Sequence, residues 1–247
     1  MNIKQSAPAI FTNSAHSQMS NRYTFVNTNE VLSAFENEGW EVSSATQRGR
    51  GIYNSHQVRL RNGNLPKVVG DTLLEAIITN SHNGSTRFSV RAGLHRLACK
   101  NGLTVPTSVS QAFSIRHQNI DMGEVRRITD EFAVSLPVIE KSVEKMKIKM
   151  LSEQEMVNFA KNALNLRWEE GSVPSNINIM DILNPRRIED QQNDMWTTFN
   201  RVQESFIRGG VGYVSANGRR TKMKPLSNFM AVNQVNTKLW ELAESMC

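Results

Sequence analysis

Arginine is the residue type whose spacing in this chain points most directly to chemistry. Residues 57–61 alternate, with Val58 and Leu60 on one side of a predicted strand and polar or basic side chains on the other. A second alternating segment begins at Phe88. If the two strands share a sheet, the face opposite the core carries four arginines: Arg59, Arg61, Arg87 and Arg91. This pattern predicts a surface that binds a polyanion.

Two glycine-containing segments carry further cations. RGRG at 48–51 is predicted to be a basic turn, and residues 209–224 are predicted to be a glycine-rich loop. Glycine lets backbone N–H groups approach phosphates, and the basic side chains would neutralise them. A solvated surface hairpin is the other interpretation of the second segment. The candidate contacts outside the sheet face are Arg48, Arg50, Arg96, Lys100, Arg219, Arg220, Lys222 and Lys224.

Aromatic side chains near the first basic segment are better explained as core than as platforms for stacking bases. They are Tyr23, Phe25, Trp40 and Tyr53.

Metal binding and catalysis have less support in the sequence. His82, His95 and Cys99 are the only clustered soft ligands, a fourth ligand is missing, and His82 lies in a predicted turn, so we expect no metal site. His95 and Cys99 would share a helix face, but no orienting carboxylate accompanies them. No phosphate-binding loop of the G-x-x-x-x-G-K-S/T type occurs. We therefore expect no cofactor and no enzymatic activity, and an enzyme that uses His95 and Cys99 is a secondary alternative.

Charge and composition limit the class of protein. The 247 residues carry a net charge of +6, and residues 1–105 hold 11 Lys or Arg against 6 Asp or Glu. A basic first half favours a polyanionic partner, with nucleic acid before membrane. With 39% apolar residues and two cysteines, neither disorder nor a disulfide framework is expected. No apolar run is long enough to cross a bilayer, so we expect a cytoplasmic protein.

The order of the patterns predicts an α+β protein. Residues 1–20 are expected to form a flexible leader, residues 21–118 a basic α+β domain, and residues 119–247 a helical region packed on or beside it. The first domain should contain an antiparallel sheet with short helices, and the second a set of four to five α-helices.

Within the first domain, residues 27–38 read as a helix with a capping box at Asn27 and Glu30. An extended segment, 40–46, follows. Residues 73–79 are apolar on both faces apart from Glu75, which indicates a central strand. Residues 93–100 are ambiguous between a strand and a helix, and their spacing favours a short helix. Residues 111–117 are predicted to form a last strand.

In the second domain the apolar period is helical. Pro137 is expected to break or kink the first long helix, and Ser152 with Glu155 forms a capping box for the next. Asn184-Pro185 predicts a helix start. Two further helices are predicted at 193–208 and 228–245.

Several sequence blocks resemble a known family. ITNSHNGS, RAGLHRLACKNGL and ILNPRRIEDQQNDMWTTFNRVQESFIRGG are similar to signature blocks of a phage/plasmid-like family of unknown function, the prophage YafZ/YfjQ type. NRYTFVNTNEVLSAFENEGWEV resembles its N-terminal block, so the likeness extends from about residue 20 to the C-terminus. The resemblance implies an origin in mobile elements. It implies no catalytic residues.

A second resemblance is one of pattern. A short helix, a strand, a hairpin, further strands and a basic helix-like segment are similar in order to the annealing core of Rad52-type recombination proteins. That likeness implies an oligomeric ring that holds single-stranded DNA in a basic groove. The leading hypothesis is therefore an oligomeric phage or plasmid protein that binds single-stranded DNA through its backbone and acts in recombination or strand annealing. The alternative is a counter-defence or regulatory protein that binds a host protein or ribonucleoprotein.

Overall fold

The computed structural model describes residues 3–64, 72–96, 102–104, 114–118, 122–168, 172–174, 176–215 and 217–247. The chain divides into two compact units, Met1–Ile139 and Glu140–Cys247. The division falls inside one long helix, and not near residue 118, where the sequence places the domain boundary. The expected α+β class is confirmed: an antiparallel sheet with short helices comes first and a set of helices follows.

The first unit is built on a six-stranded antiparallel sheet. The strands are β1 (Trp40–Gln47), β2 (His56–Asn62), β3 (Thr72–Asn80), β4 (Phe88–Arg96), β5 (Gly102–Thr104) and β6 (Ser114–Ile115). They are ordered β1-β2-β3-β4-β5, and β6 also pairs with β4. The predicted central strand is confirmed, because residues 75–79 of β3 pair with β2 on one side and with β4 on the other.

One face of this sheet forms the apolar core. Register places Val58, Ile78 and Val90 side by side across β2, β3 and β4, and each is fully buried. Helix α2 (Thr28–Asn37) contributes Phe35, whose ring lies 5.9 Å from that of Trp40. The predicted N-cap is confirmed, because the Asn27 side chain accepts from two backbone N–H groups of the first turn.

The N-terminal segment belongs to this core, where the sequence predicts a flexible leader. Helix α1 (Ile3–Ser6) is followed by a 3₁₀ helix, Pro8–Phe11, in which Ala9 and Ile10 are fully buried. The backbone N–H of Ala9 donates to Gln47 Oε1 at 3.0 Å, and the Ala9 carbonyl accepts from His82 Nε2 at 3.0 Å. These partners are far away in sequence, so local composition does not show them.

Strand β4 occupies part of the segment for which we predicted a helix. Gly93, Leu94 and His95 pair with β3 on one side and with β5 on the other, so the prediction is wrong for residues 93–96. Residues 97–100 lie outside the described residues. A strand that is buried on both faces is apolar throughout, and its spacing cannot be told from that of a buried helix.

The long helix α3 (Met122–Ile148) continues through Pro137, so a break there is wrong, and the kink that was the other expectation stays a prediction. Pro137 is exposed. Proline has no backbone N–H to donate to the carbonyl four residues before it in the helix. Because the proline is exposed, water can donate to that carbonyl instead.

The second unit contains α4 (Glu153–Arg167), α5 (Ile179–Leu183), a 3₁₀ helix (Ile188–Asp190), α6 (Met195–Arg208), a two-stranded hairpin of β7 (Gly212–Val214) and β8 (Arg220–Lys222), and α7 (Phe229–Glu244). The capping box of α4 is confirmed, with Ser152 N–H donating to Glu155 Oε2 at 2.7 Å. No helix begins at Pro185: α5 ends at Leu183, and Asn184 takes the extended conformation that a following proline favours.

Helix α6 is the centre of the second unit. Every residue from Met195 to Phe206 is buried, on all sides of the helix. Trp196 and Phe199 contact Trp240 of α7, with ring centroids 6.3 and 5.9 Å apart. The polar residues of α6 must therefore find partners inside the protein.

Three buried histidines are held neutral at one end of the sheet. His56 Nδ1 lies 2.9 Å from the Asn54 carbonyl and its Nε2 lies 2.8 Å from Thr28 Oγ1, while His117 Nδ1 lies 3.0 Å from the Thr24 carbonyl. Burial lowers the pKa of His56 to about 4 and that of His82 to about 3, and it also lowers the pKa of His117. The charged form of each is disfavoured in the folded protein.

These shifts predict a loss of stability in mild acid. Unfolded histidine has a pKa of about 6.5, so the unfolded chain binds more protons than the folded one as pH falls from 6.5 towards 4. The free energy of unfolding should be highest above pH 6.5 and fall in this window. The total loss should be about 1.4 kcal/mol for each unit by which burial lowers a histidine pKa. Urea denaturation at about pH 7 and about pH 4.5 measures it, and His56→Gln should reduce the slope. Equal stability at both pH values would contradict the prediction.

Candidate nucleic-acid interface

Three of the predicted arginines lie on one face of the sheet. Arg59 and Arg91 are the register partners of Ile77 from its two neighbouring strands, and Arg61 is the partner of Glu75. Alternation therefore places these side chains opposite the Val58 core face, as the sequence predicts. Arg87 lies just before β4 and is exposed.

The carboxylate of Glu75 engages two of these arginines. Glu75 is fully buried, Arg59 Nη1 lies 2.6 Å from its Oε2, and Arg61 Nε lies 2.8 Å from its Oε1. His95 Nδ1 is 3.8 Å from the same carboxylate, and Ser43 Oγ is 3.5 Å away. A buried carboxylate needs such partners, because removing a charge from water is costly.

This pairing changes what the sheet face offers to a ligand. The Arg59 side chain is only 12% exposed and that of Arg61 32%, and burial lowers the pKa of Arg91. Arg59 and Arg61 join β2 to β3 through Glu75, whether or not they also meet a phosphate. Glu75 was visible in the sequence as the one charge in an apolar strand, and arginines in a neighbouring strand were the signal that it would be paired.

The exposed predicted cations of the first unit lie in turns. Arg48 and Arg50 are exposed in the connection between β1 and β2. Neither they nor Arg87 form an ion pair among the described residues. Arg96 ends β4, but its side chain and the whole of Lys100 lie outside the described residues. Their role as phosphate contacts stays a prediction.

The second unit brings four predicted cations together on its hairpin. Arg219, Arg220, Lys222 and Lys224 are all exposed, and no acidic residue occurs in the sequence between Glu204 and Glu241. None of the four forms an ion pair within the described part of the chain. The hairpin is thus a local concentration of positive charge.

The base of the hairpin depends on glycine. Gly209 has φ +69°, and a Cβ atom there would lie 2.3 Å from the Met223 carbonyl oxygen, so no other residue fits without movement. Gly210 N–H donates to the same carbonyl at 2.8 Å, and Met223 N–H donates to the Val211 carbonyl at 2.8 Å. These bonds fix the direction in which the two basic strands leave α6.

An aromatic pair lies beside these cations. The ring of Tyr213, in β7, is 6.2 Å from that of Trp168 in an edge-to-face arrangement, and both side chains are half-buried. The Arg167 guanidinium lies 5.9 Å from the Trp168 ring and donates to the Lys224 carbonyl. Neither aromatic is among the candidate residues predicted from the sequence. A tyrosine between Gly212 and Val214, in a segment rich in lysine and arginine, was the signal available.

A cavity of about 400 Å³ lies against the hairpin. It is lined by both strands, including Tyr213, Arg220 and Lys222, and by Asn176, whose Oδ1 accepts from Val214 N–H at 3.1 Å. Register pairs Tyr213 with Thr221, so Arg220 and Lys222 lie on the other face of the hairpin. Cationic and aromatic groups are thereby presented by one small element.

The comparison with known proteins shows the family. Residues 15–240 match the family model described as a domain of unknown function, DUF932. The chain belongs to this family. It is 30% identical to the UPF0380 protein YafZ of Escherichia coli K12, over 97% of this chain and 88% of that protein. It is 29% identical, with the same coverage, to the UPF0380 protein YfjQ of the same strain. No solved structure matches.

The longest of the quoted family blocks, residues 182–210, has an internal role in this structure. Arg187 forms a two-bond ion pair with Glu204 at 2.5 and 2.6 Å, and Glu204 is 3% exposed. Arg201 donates to the carbonyls of Asp190 and Gln192 at 2.6 and 2.8 Å. These arginines tie the segment before α6 to the buried helix.

The enzyme alternative at His95 and Cys99 stays a prediction. His95 is 9% exposed beside Glu75, and Cys99 lies outside the described residues. Among the residues that are described, no group of three or more His, Cys, Asp or Glu side chains is placed to hold a metal ion. In the same part of the chain, no helix is long and apolar enough to cross a membrane.

Removal of Arg59 should destabilise the protein. Arg59→Ala leaves one oxygen of the buried Glu75 carboxylate without its ion-pair partner, and the expected cost is on the order of 3 kcal/mol. The matched control is Arg87→Ala, which removes an exposed arginine and should change stability by about 0.5 kcal/mol or less. Urea denaturation of both variants measures the difference. Equal effects would show that the Glu75 ion pairs contribute little to folding.

Proposed function

We propose that this protein binds single-stranded DNA through its sugar-phosphate backbone and acts in recombination or strand annealing on phage or plasmid DNA. The observation that carries the proposal is the β7–β8 hairpin. It joins four exposed cations, which have no acidic partner among the described residues, to a half-buried aromatic pair. Binding to phosphates needs the first feature, and binding to unpaired bases is favoured by the second.

The aromatic pair favours a single strand over a duplex. Bases in a duplex are stacked on each other, whereas an unpaired base can stack on a protein ring, which contributes about 1–3 kcal/mol for each base. The Tyr213 ring and the cations of Arg220 and Lys222 lie on opposite faces of one two-stranded hairpin, so a strand that crosses the edge of the hairpin could contact the ring with one nucleotide and a cation with the next. A protein that recognised only duplex DNA would need the cations alone.

Strand annealing is the finer part of the proposal. It rests on the order of elements in the first unit, where α2 is followed by β1, the β1–β2 hairpin and further strands. The segment that the pattern treats as a basic helix is a strand as far as Arg96. Fewer elements of the first unit therefore match the order found in annealing proteins than the sequence suggested. The mobile-element context comes from the family resemblance. A homo-oligomer, as in annealing proteins, is proposed with it.

Charge reversal on the hairpin tests the binding. Arg220→Glu with Lys222→Glu should lower the affinity for single-stranded DNA by roughly tenfold or more and flatten its salt dependence, because two phosphate contacts are lost. The matched control is Lys161→Glu with Lys238→Glu, which makes the same change in net charge at exposed helix positions of the same unit. Fluorescence anisotropy of labelled single-stranded and duplex oligonucleotides across a salt series gives the affinities, and unfolding curves verify that each variant is folded.

The outcomes separate the proposal from its alternatives. Absence of binding to single strands near physiological salt, or an equal loss in the control variant, would overturn it. Equal affinity for duplex and single strands would remove the role of the aromatic pair. Capture of a host protein or ribonucleoprotein in stoichiometric amount, without DNA binding, would favour a counter-defence or regulatory protein. Sizing of the protein with and without DNA, and the pairing rate of complementary strands, test the oligomer and the annealing step.

A further inference from the structure

A second cavity lies in the first unit, and none of the residues that line it belongs to the hairpin. Its volume is about 360 Å³, which is within the range of small-molecule sites. His16, Gln18, Tyr53, Asn54 and Asn83 are among the residues that line it. These residues come from the N-terminal segment, from the β1–β2 connection and from the β3–β4 connection. The cavity is therefore made of three chain segments that meet at one end of the sheet.

Backbone hydrogen bonds hold these three segments together. His16 N–H donates to the His82 carbonyl at 2.8 Å, and His82 N–H donates to the Tyr53 carbonyl at 2.9 Å. His82 itself is fully buried. The rings of His16 and Tyr53 meet edge to face, with centroids 5.0 Å apart. Because its walls are tied through a buried residue, the cavity is preformed.

Polar groups of the lining are available to a ligand. The Gln18 backbone N–H donates to His16 Nδ1 at 3.2 Å, so a neutral His16 ring carries its proton on Nε2 and is a donor there. His16 Nε2, the Gln18 amide and the Tyr53 hydroxyl have no hydrogen-bond partner among the described residues. Asn54 Oδ1 has only one long contact, at 3.5 Å, with Asn83 Nδ2. Amide and imidazole groups of this kind match the donor and acceptor edge of a nucleobase.

The turn next to this cavity carries two exposed arginines. Asn54 lines the cavity, and its Nδ2 donates to the Arg48 carbonyl at 2.8 Å. Gln47 Nε2 donates to the Gly49 carbonyl at 2.8 Å, and Gly49 has φ +74°, which favours glycine. The turn is thus shaped by side-chain bonds, and the exposed Arg48 and Arg50 on it form no ion pair among the described residues. An anion bound at this turn would be next to the cavity.

We propose that this cavity binds one nucleotide, with its base against the His16 and Tyr53 rings and its phosphate at Arg48 and Arg50. Rings, amides and paired guanidinium groups are the three features that a nucleotide needs, and a lipid headgroup or a simple anion would leave the rings and amides unused. The nucleotide is either free or part of a DNA strand. In the second case the site deepens the proposed function and rests on it.

Two probes distinguish these sources. Deoxyadenosine monophosphate, titrated by calorimetry, tests a free nucleotide. A single-stranded oligonucleotide with one 2-aminopurine tests a base within a strand, because stacking on a ring quenches its fluorescence. Photo-crosslinking of the oligonucleotide followed by peptide mapping should place adducts on peptides that contain His16 or Tyr53, separate from any at Tyr213.

Variants of the cavity give the expected losses. Tyr53→Ala should abolish the quenching and weaken binding of whichever probe is bound by roughly tenfold, and Tyr53→Phe should retain most of both. Arg48→Gln with Arg50→Gln should weaken binding to a similar extent without affecting folding, since both residues are exposed. Arg22→Gln with Arg116→Gln, at two exposed arginines that do not line the cavity, is the matched control.

The results separate this site from the hairpin. Loss of binding in the cavity variants, with the matched control unchanged, supports the site. If the cavity variants bind both probes like the unmodified protein, or if neither probe is bound by that protein, the site is overturned. Binding of the mononucleotide by a protein that does not bind single-stranded DNA would overturn the proposed function and leave the cavity site standing. Loss of DNA binding in the hairpin variant alone, with no effect of the cavity variants on the mononucleotide, would support the proposed function and overturn the cavity site.

Discussion

The buried carboxylate of Glu75 is the constraint on which the first unit depends. Strand β3 is covered on both faces, so this one charge must be neutralised within the sheet. Arg59 and Arg61 of the adjacent β2 do so, and the ion pairs fix β2 against β3 in the same register as the apolar core on the other face. Two arginines that look like surface cations in the sequence are therefore part of the folding energetics.

The second unit shows the same division of its charged residues. Helix α6 is buried all round, so Glu204 within it needs a cation, and Arg187 supplies a two-bond pair from the segment before the helix. Arg201 of the same helix donates its hydrogen bonds to backbone carbonyls. A long block of residues that marks the family is in this protein largely a set of internal contacts. Its similarity to relatives thus reports how the unit folds and gives no direct sign of a ligand.

The sequence predicts an element well when the signal for it lies within a few neighbouring residues. The caps at Asn27 and Ser152, the glycine stop at Gly209 and the alternation around Val58 act over a few residues, and the elements they predict are present. Burial of the N-terminal segment depends on distant residues, so composition and periodicity could not reveal it. The need of Glu75 for a partner was visible in the sequence, but which arginines meet it follows only from the pairing of β2 with β3. Residues 92–95 of β4 are buried on both faces of the sheet, so they lack the polar alternation that would have marked a strand. Tyr213 gains its meaning only when Trp168 is beside it.

These contacts leave a particular set of cations free for a ligand. The strand arginines Arg59 and Arg61 are paired with a buried acid, whereas the turn cations are exposed and form no ion pair among the described residues. The exposed cations at Arg48 and Arg50 follow a glycine-containing turn, and Arg219 and Arg220 end another. Each of these turns adjoins a half-buried tyrosine, Tyr53 in the first unit and Tyr213 in the second. A polymer of phosphates and flat bases is the ligand that we propose for both turns, because each repeating unit carries one negative charge and one ring to stack.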